Sequence, residues 1–113
     1  MENIQFNRIT FPYAYAVGTG SLVLLSISKD FAYIDGKKTD TLKGYRYNVV
    51  ELDNYLKFTV KIQSDNPIIT NEQLENAKSK IMITFEDCMA RPYRNSSNNY
   101  DLSFTATSIS IIK

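Results

Sequence analysis

Arg46 and Lys61 are the two residues through which the chain could most directly do chemistry. They lie in KGYRYNVVELDNYLKFTVKIQ, Lys43 to Gln63, which reads as two strands joined at Asp53-Asn54, a pair suited to a tight hairpin turn. Leu56, Phe58, Val60 and Ile62 alternate with Lys57, Thr59, Lys61 and Gln63, so one face is apolar and the other wet. A two-residue loop sets Leu52 opposite Tyr55 and continues as Val50 with Lys57, Asn48 with Thr59 and Arg46 with Lys61. Tyr45, Tyr47 and Val49 then share the core face with Phe58, Val60 and Ile62. Arg46, Asn48, Lys57, Thr59 and Lys61 face solvent. A three-residue loop would reverse this parity and bury Arg46 and Asn48, so an even loop is expected. Two cations directly opposite each other destabilise a sheet. Either solvent and salt screen them, or an anion such as a phosphate backbone lies on that face.

Other chemistries find less support. With no histidine and one cysteine, Cys88, the chain can form no internal disulfide and no His- or Cys-rich metal site. Cys88 falls in the alternating run from Ile81 to Ala90 as a small, half-buried strand residue, with no basic neighbour to activate it. Glu86-Asp87 is the only adjacent acidic pair, and neighbours on a strand point to opposite faces. No nucleophile sits beside a base, so neither an enzyme nor a cofactor is expected. Gly18 and Gly20 in VGTGS imitate a phosphate loop, but no helix follows; they read as a turn or bulge.

At 113 residues with 43% apolar content, 8 Tyr and 6 Phe, one globular domain is expected. Thirteen basic against twelve acidic residues leave a net charge of +1, so any nucleic-acid binding must rest on local charge distribution. The opening MENIQFNRITF lacks the features of a signal peptide, and no run is long enough to span a bilayer. A cytoplasmic protein with no membrane partner is expected. Richness in Asn, Ile, Lys and Tyr fits an AT-rich genome of low-GC bacteria or their mobile elements.

The elements that must position these residues follow in order. Phe11, Tyr13 and Tyr15 alternate in an extended N-terminal segment, with Pro12 limiting it to an edge. Ser21 to Ser28 is a strand apolar on both sides, either covered on both or bent from one sheet surface to another. Lys29 to Leu42 holds a second turn signal, Asp35-Gly36, and forms a small hairpin or a long loop. Its Lys37, Lys38 and Lys43, near Phe31 and Tyr33, make either a solvated turn or a nucleic-acid contact. After Lys43–Gln63, Thr70 and Gln73 form a capping box for a helix from about Asn71 to Ser79, with Leu74 and Ala77 as its apolar contact. Lys80 to Glu86 is a strand with Ile81, Ile83 and Phe85 inward. Asp87 to Arg94 extends it toward RPYRNSSNN, a long loop. In Tyr100 to Ile112, Leu102, Phe104 and Ala106 share one parity and Ile109 and Ile111 the other, which predicts a bend near Thr107-Ser108.

This order, with one short helix between the third and fourth strands, resembles the five-stranded OB-fold from about Val17 to Ile112. The resemblance is one of topology, since OB-folds have no sequence fingerprint; an SH3-like barrel or a generic α+β sheet stays open. It implies a mainly β single domain over 1–113, with 1–16 an extended N-terminal segment and 17–113 a small OB-like barrel. It further implies oligonucleotide binding on the face of strands 2 and 3 and on two flanking loops. On this chain the face carries Arg46, Lys57 and Lys61. One loop, Asp35 to Lys43, carries Lys37, Lys38 and Lys43; the other, Arg91 to Asn99, carries Arg91, Tyr93 and Arg94. Single-strand binders add aromatic platforms, for which Tyr55 and Tyr93 are the leading candidates, followed by Tyr33 and Tyr100. The chain is similar in this respect to auxiliary single-stranded DNA-binding proteins of Gram-positive phages and conjugative elements. That similarity implies sequence-tolerant binding of single-stranded nucleic acid, DNA favoured, as an accessory to replication or transfer, with a homo-oligomer or replication and transfer proteins as further partners. The competing expectation is an assembly module of such an element that binds no nucleic acid.

Overall fold

The computed structural model describes residues 9–77, 79–94 and 96–112. Within them the chain is mainly β: β1 (Phe11–Pro12), β2 (Leu22–Ile34), β3 (Lys37–Glu51), β4 (Leu56–Ile62), β5 (Met82–Glu86), β6 (Met89–Arg94), β7 (Tyr100–Thr105) and β8 (Ser108–Ile111). Two short helices, α1 (Ala14–Val17) and α2 (Asn71–Glu75), interrupt them. The strands form one open sheet in the order β1-β6-β7-β4-β3-β2-β5-β8. This is not the closed five-stranded barrel expected. Two of the five expected strands break in the middle. The fourth turns at Asp87, with φ 51°, into β5 and β6. The last parts at Ala106-Thr107, where the parity switch predicted a bend, into β7 and β8.

The central hairpin has the expected pairing. Arg46 faces Lys61, Asn48 faces Thr59 and Val50 faces Lys57. Tyr45, Tyr47, Val49, Phe58, Val60 and Ile62 are all buried, Val49 and Val60 completely. The loop itself differs: regular pairing stops at Glu51–Leu56, leaving four residues rather than two, with Tyr55 at φ 56°. Four is also even, so the face assignment survives the longer turn.

The doubly apolar strand β2 is a bent one. The register slips between Leu24 and Ser26, so Leu25 is an extra residue. That slip lets Ile27 join Leu22 and Leu24 in the same core, where strict alternation would have turned it out. Leu25 itself is 43% exposed. On the far side, Asp35 (φ 53°) and Gly36 (φ 80°) form the turn of a long β2–β3 hairpin, whose last pair is Ile34 with Lys37. Of the two expectations for Lys29 to Leu42 the hairpin holds, and Asp35 to Lys43, a binding loop by the OB-fold resemblance, is mostly strand.

Three further expectations need correction. The N-terminal segment is extended only at β1; residues 1–8 lie outside the described residues. Ala14–Val17 is a helical turn because Tyr13 and Val17, four apart, can then both reach the core. Tyr13 stacks on Phe58 at 5.8 Å, while Tyr15 is 83% exposed. Helix α2 carries the full Thr70–Gln73 capping box but stops at Glu75. Ala77 is exposed, so only Leu74 packs inward, too little to hold a second turn. Finally, β6 runs to Arg94, as the strand reading of Asp87 to Arg94 expects, so Arg91, Tyr93 and Arg94 stand on a strand and not on the loop implied by the OB-fold resemblance. Pro92 sits where β1, paired only with Met89 and Ala90, has already ended, so its missing N–H costs no ladder bond there.

Candidate nucleic-acid interface

The outer face of the sheet is built in polar rows across β2, β3 and β4. In one row the Asn48 amide donates to Ser26 Oγ at 2.8 Å and its oxygen accepts from Thr59 Oγ1 at 2.5 Å. In the next, Arg46 and Lys61 stand opposite each other. Beside them lies Asp30, only 4% exposed although it is charged. Arg46 Nε donates to Asp30 Oδ1 at 3.2 Å, Arg46 Nη2 approaches the same oxygen at 3.2 Å, and Lys43 Nζ lies 4.0 Å from Oδ2. The repulsion between Arg46 and Lys61 is thus offset by a carboxylate of the protein itself. That possibility was not among the sequence expectations.

One carboxylate does not neutralise the neighbourhood. Burial pulls the Lys61 ammonium below its usual range, and the charges of Arg46, Lys43 and Arg91 push it the same way; Asp30 alone opposes them. Lys61 is the hinge of two adjoining depressions. One, about 540 Å³, is lined by Arg46, Thr59, Lys61, Arg91, Tyr93 and Leu102, with Ser103 and Phe104. The other, about 470 Å³, has Asp30, Lys43, Lys61 and Gln63 with Thr105 and Thr107. Arg91 and Tyr93 reach the first because β6 pairs with β7 and β7 lies parallel to β4, with Lys61 facing Thr105.

The structure therefore brings together half of the expected residues: Lys43, Arg46, Lys61, Arg91 and Tyr93. Arg94 is one residue beyond, its guanidinium 5.4 Å from the Tyr100 ring centre. Lys57 continues the same face two positions past Thr59, and Tyr55 is 77% exposed at the far turn. Lys37 and Lys38 are elsewhere. They occupy the tip of the β2–β3 hairpin, roughly 25 Å along the strand from Arg46, and Lys38 Nζ rests 4.7 Å from the Phe31 ring centre. The residues that sequence reasoning missed are Asp30 and, at the wall of the second depression, Thr105 and Thr107. Asp30 could have been sought as the acidic residue two positions from Ser28, which faces Arg46.

A second anion site is occupied by the protein's own side chain. Glu51 is fully buried, accepting from Asn54 N at 2.7 Å and Gly20 N at 3.0 Å. Hydrogen bonding from the Asn54 amide, opposed by burial and helped by the Gly20 and Asp53 amides, holds its carboxyl below the ordinary value. A side chain at Gly18, where φ is 118°, would collide with that carboxylate, and one at Gly20 with the Asp53 backbone. The glycine-rich turn thus cradles a carboxylate instead of a phosphate. Cys88 is buried in the bend between β5 and β6, where burial pushes its thiol up to about 12. Among the described residues no group of three acidic or thiol side chains converges on a metal position. None of their helices is long and apolar enough to cross a membrane.

Fold and face together define a mainly β chain with an open eight-stranded sheet and a locally basic outer surface. Comparison with known proteins adds no relative: no family model, curated protein or solved structure matches the chain.

Proposed function

We propose that the face around Lys61 binds single-stranded nucleic acid, DNA favoured, with little regard to sequence. The observation that carries this reading is the crowding of three cations around Lys61, offset by the one carboxylate of Asp30, beside an exposed tyrosine. A sheet surface held in this state has excess positive charge, and a phosphate would relieve it. Arg46, Lys61 and Arg91 supply the phosphate contacts, with Lys43 at the adjoining depression. Tyr93, at the wall of the first depression, supplies a surface on which a base can stack, worth about 1–3 kcal/mol per base. Lys57, Tyr55 and Arg94 extend the track at its two ends, and Lys37 and Lys38 contact strand that runs on past the groove.

An OB-like arrangement supports this reading. β2, β3 and β4 form a meander, β5 returns antiparallel to β2, and β7 lies parallel to β4. The link between β7 and β8 touches both sides of the opening: Ala106 N donates to Lys61 O at 3.2 Å and Thr107 N to Glu86 O at 3.0 Å. We read this as an open sheet curled toward an OB-like barrel, with its bent last strand bridging the gap. A cytoplasmic accessory of replication or transfer in a mobile element is the role such a binder would fill, acting by binding and without catalysis.

Fluorescence anisotropy of a labelled oligo-dT against the full chain tests the proposal, at low and at physiological salt. Binding at low salt that weakens steeply as salt rises is expected. Duplex DNA and RNA competitors then rank the ligands, and absence of binding at low salt overturns the proposal. The assembly reading has its own support in the exposed apolar residues of the β2–β3 hairpin, Tyr33 at 63% and Ile34 at 61%.

A further inference from the structure

The outer part of the β2–β3 hairpin stands without neighbours. β5 pairs with β2 only at Leu22 and Val23, and β4 pairs with β3 only from Tyr45 onward. From Phe31 to Leu42 the two strands therefore have only each other among the described residues. A two-stranded ribbon is marginal in water, and further strands are what stabilise it.

The two edges of this ribbon are treated differently. The β3 edge is broken: the register slips at Lys43, and Thr39 to Thr41 stand together opposite Ala32. Bulges and lysines of this kind discourage pairing with another strand. The β2 edge is regular. At its inner end it is sealed by Asn71, whose side-chain oxygen accepts from Ile27 N at 3.1 Å and whose amide donates to Ile27 O at 2.8 Å. Asn71 thus imitates a neighbouring strand for one residue. Since Ile27 turns its backbone groups outward, alternation turns those of Lys29, Phe31 and Tyr33 outward too. Ala32 turns the other way, its C=O accepting from Thr39 Oγ1 at 2.7 Å.

We propose that this β2 edge is an interface between two copies of the chain, paired antiparallel about a two-fold axis at Ala32. Charge and steric fit select the register. With Ala32 opposite Ala32 of the second copy, Phe31 faces Tyr33 and Lys29 faces Asp35, so each end of the seam joins a cation to an anion. Shifting the pairing to put Phe31 opposite Phe31 would bring Asp35 of the second copy against Ile27, where Asn71 already occupies the edge. Shifting it the other way leaves Lys29 past the tip of the neighbouring ribbon with no carboxylate opposite. Opposed residues of an antiparallel pair point to the same side, so both basic faces lie on one side of the four-stranded ribbon. The pairing rests on the edge alone and stands whether or not that face binds nucleic acid.

Sedimentation equilibrium of the full chain, with a cysteine scan along the edge, tests the proposal. The expected mass at tens of micromolar approaches twice the 12.9 kDa of the chain. Lys29→Glu should weaken the dimer at least about tenfold by setting two acids together, and Asp35→Asn added to it should recover part of the loss. In the proposed register Ala32 and its counterpart form a non-hydrogen-bonded pair about 4.5 Å apart at Cα, within disulfide range. Ala32→Cys should therefore cross-link under mild oxidation, whereas Phe31→Cys or Tyr33→Cys alone should do so far more slowly, and the two mixed should cross-link to each other. The parent chain is the blank, because Cys88 is buried. A monomer at every concentration, a dimer indifferent to Lys29→Glu, or equal cross-linking at all three positions overturns the proposal. Unchanged circular dichroism and melting of each variant separate loss of the dimer from loss of the fold.

Discussion

Asp30 and Glu51 are both carboxylates buried in the same sheet, at 4% and 0% exposure, and they are compensated in opposite ways. Glu51 is held by backbone amides of two turns, Gly20 and Asn54, with the Asn54 side chain in turn donating to Val17 O at 3.1 Å. Nothing outside the protein is needed to complete that site. Asp30 is held by the side chains of Arg46 and Lys43, both partly open to solvent. Its partners remain able to exchange it for another anion. One carboxylate fastens the N-terminal segment to the central hairpin, and the other moderates a surface whose charge is left in excess.

The sharpest way to test this contrast is Glu51→Gln. An amide in that cavity turns its own N–H groups toward backbone donors, so at least one donor loses its acceptor while remaining buried. A fall in melting temperature on the order of 10 °C is expected, with oligonucleotide affinity of the folded fraction unchanged. The effect carries a pH signature. Because the folded-state pKa of Glu51 lies below its ordinary value, its stabilisation is present above that value and lost as pH falls through the folded one. The melting temperatures of wild type and variant should accordingly converge in acid. A constant gap down to pH 2 would show that the charge of Glu51 is not what holds the turn.

The contrast also marks what could be read in the sequence. Period-two alternation across Leu56–Ile62 was enough to place Arg46 opposite Lys61, because a hairpin of even loop length allows one parity. The bend at Thr107 was legible from the parity of Ile109 and Ile111, and the start of α2 from Thr70 and Gln73. Asp30 and Glu51 were not legible. Asp30 is compensated by a partner 16 residues away and Glu51 by Gly20, 31 residues away, together with nearby Asn54, and local pattern gives no sign of the distant meetings. Arg91, Tyr93 and Arg94 fall in the strand expected over Asp87 to Arg94 and outside the loop that the OB-fold resemblance implies, for a different reason. Pro92 and the polar run after Arg94 carry loop chemistry, and only pairing to β7 draws them into a strand.

On the basic face, Lys61→Met should reverse the pattern seen at Glu51. Removing the residue common to both depressions is expected to weaken oligo-dT binding on the order of tenfold and to lower the salt slope by about 1. Melting temperature should hold or rise slightly, since a half-buried ammonium crowded by three other cations is being taken away. Loss of stability with unchanged affinity would mean that Lys61 serves the fold and not the ligand.

Asp30→Asn gives a smaller effect of the opposite sign. The side chain keeps its shape and can still accept from Arg46, but the charge that competes with an incoming phosphate is gone. Affinity should rise roughly three- to tenfold at low salt, while stability falls by about 1–2 kcal/mol as charged hydrogen bonds are weakened. Tighter binding bought with lower stability is an outcome that Glu51→Gln cannot produce. If affinity falls instead, Asp30 acts by positioning Arg46 rather than by competing for it.

The smallest effect is the dependence of binding on alkaline pH. Burial and the neighbouring cations hold the Lys61 ammonium below its usual range in the free protein. A bound phosphate adds the opposite charge and raises that pKa, so binding is coupled to proton uptake once the solution is alkaline enough to deprotonate the free form. The contribution of Lys61 to affinity is complete below the free-protein pKa and fades as pH rises above it. Affinity of the wild type should therefore decline in a range where ordinary surface lysines, with pKa near 10.4, are still charged. In Lys61→Met the same titration should be flat over that range, because the ammonium whose charge is lost there has been removed. A decline of equal size in both proteins would show that the pH dependence does not arise at Lys61, and would remove Lys61 from the centre of the groove.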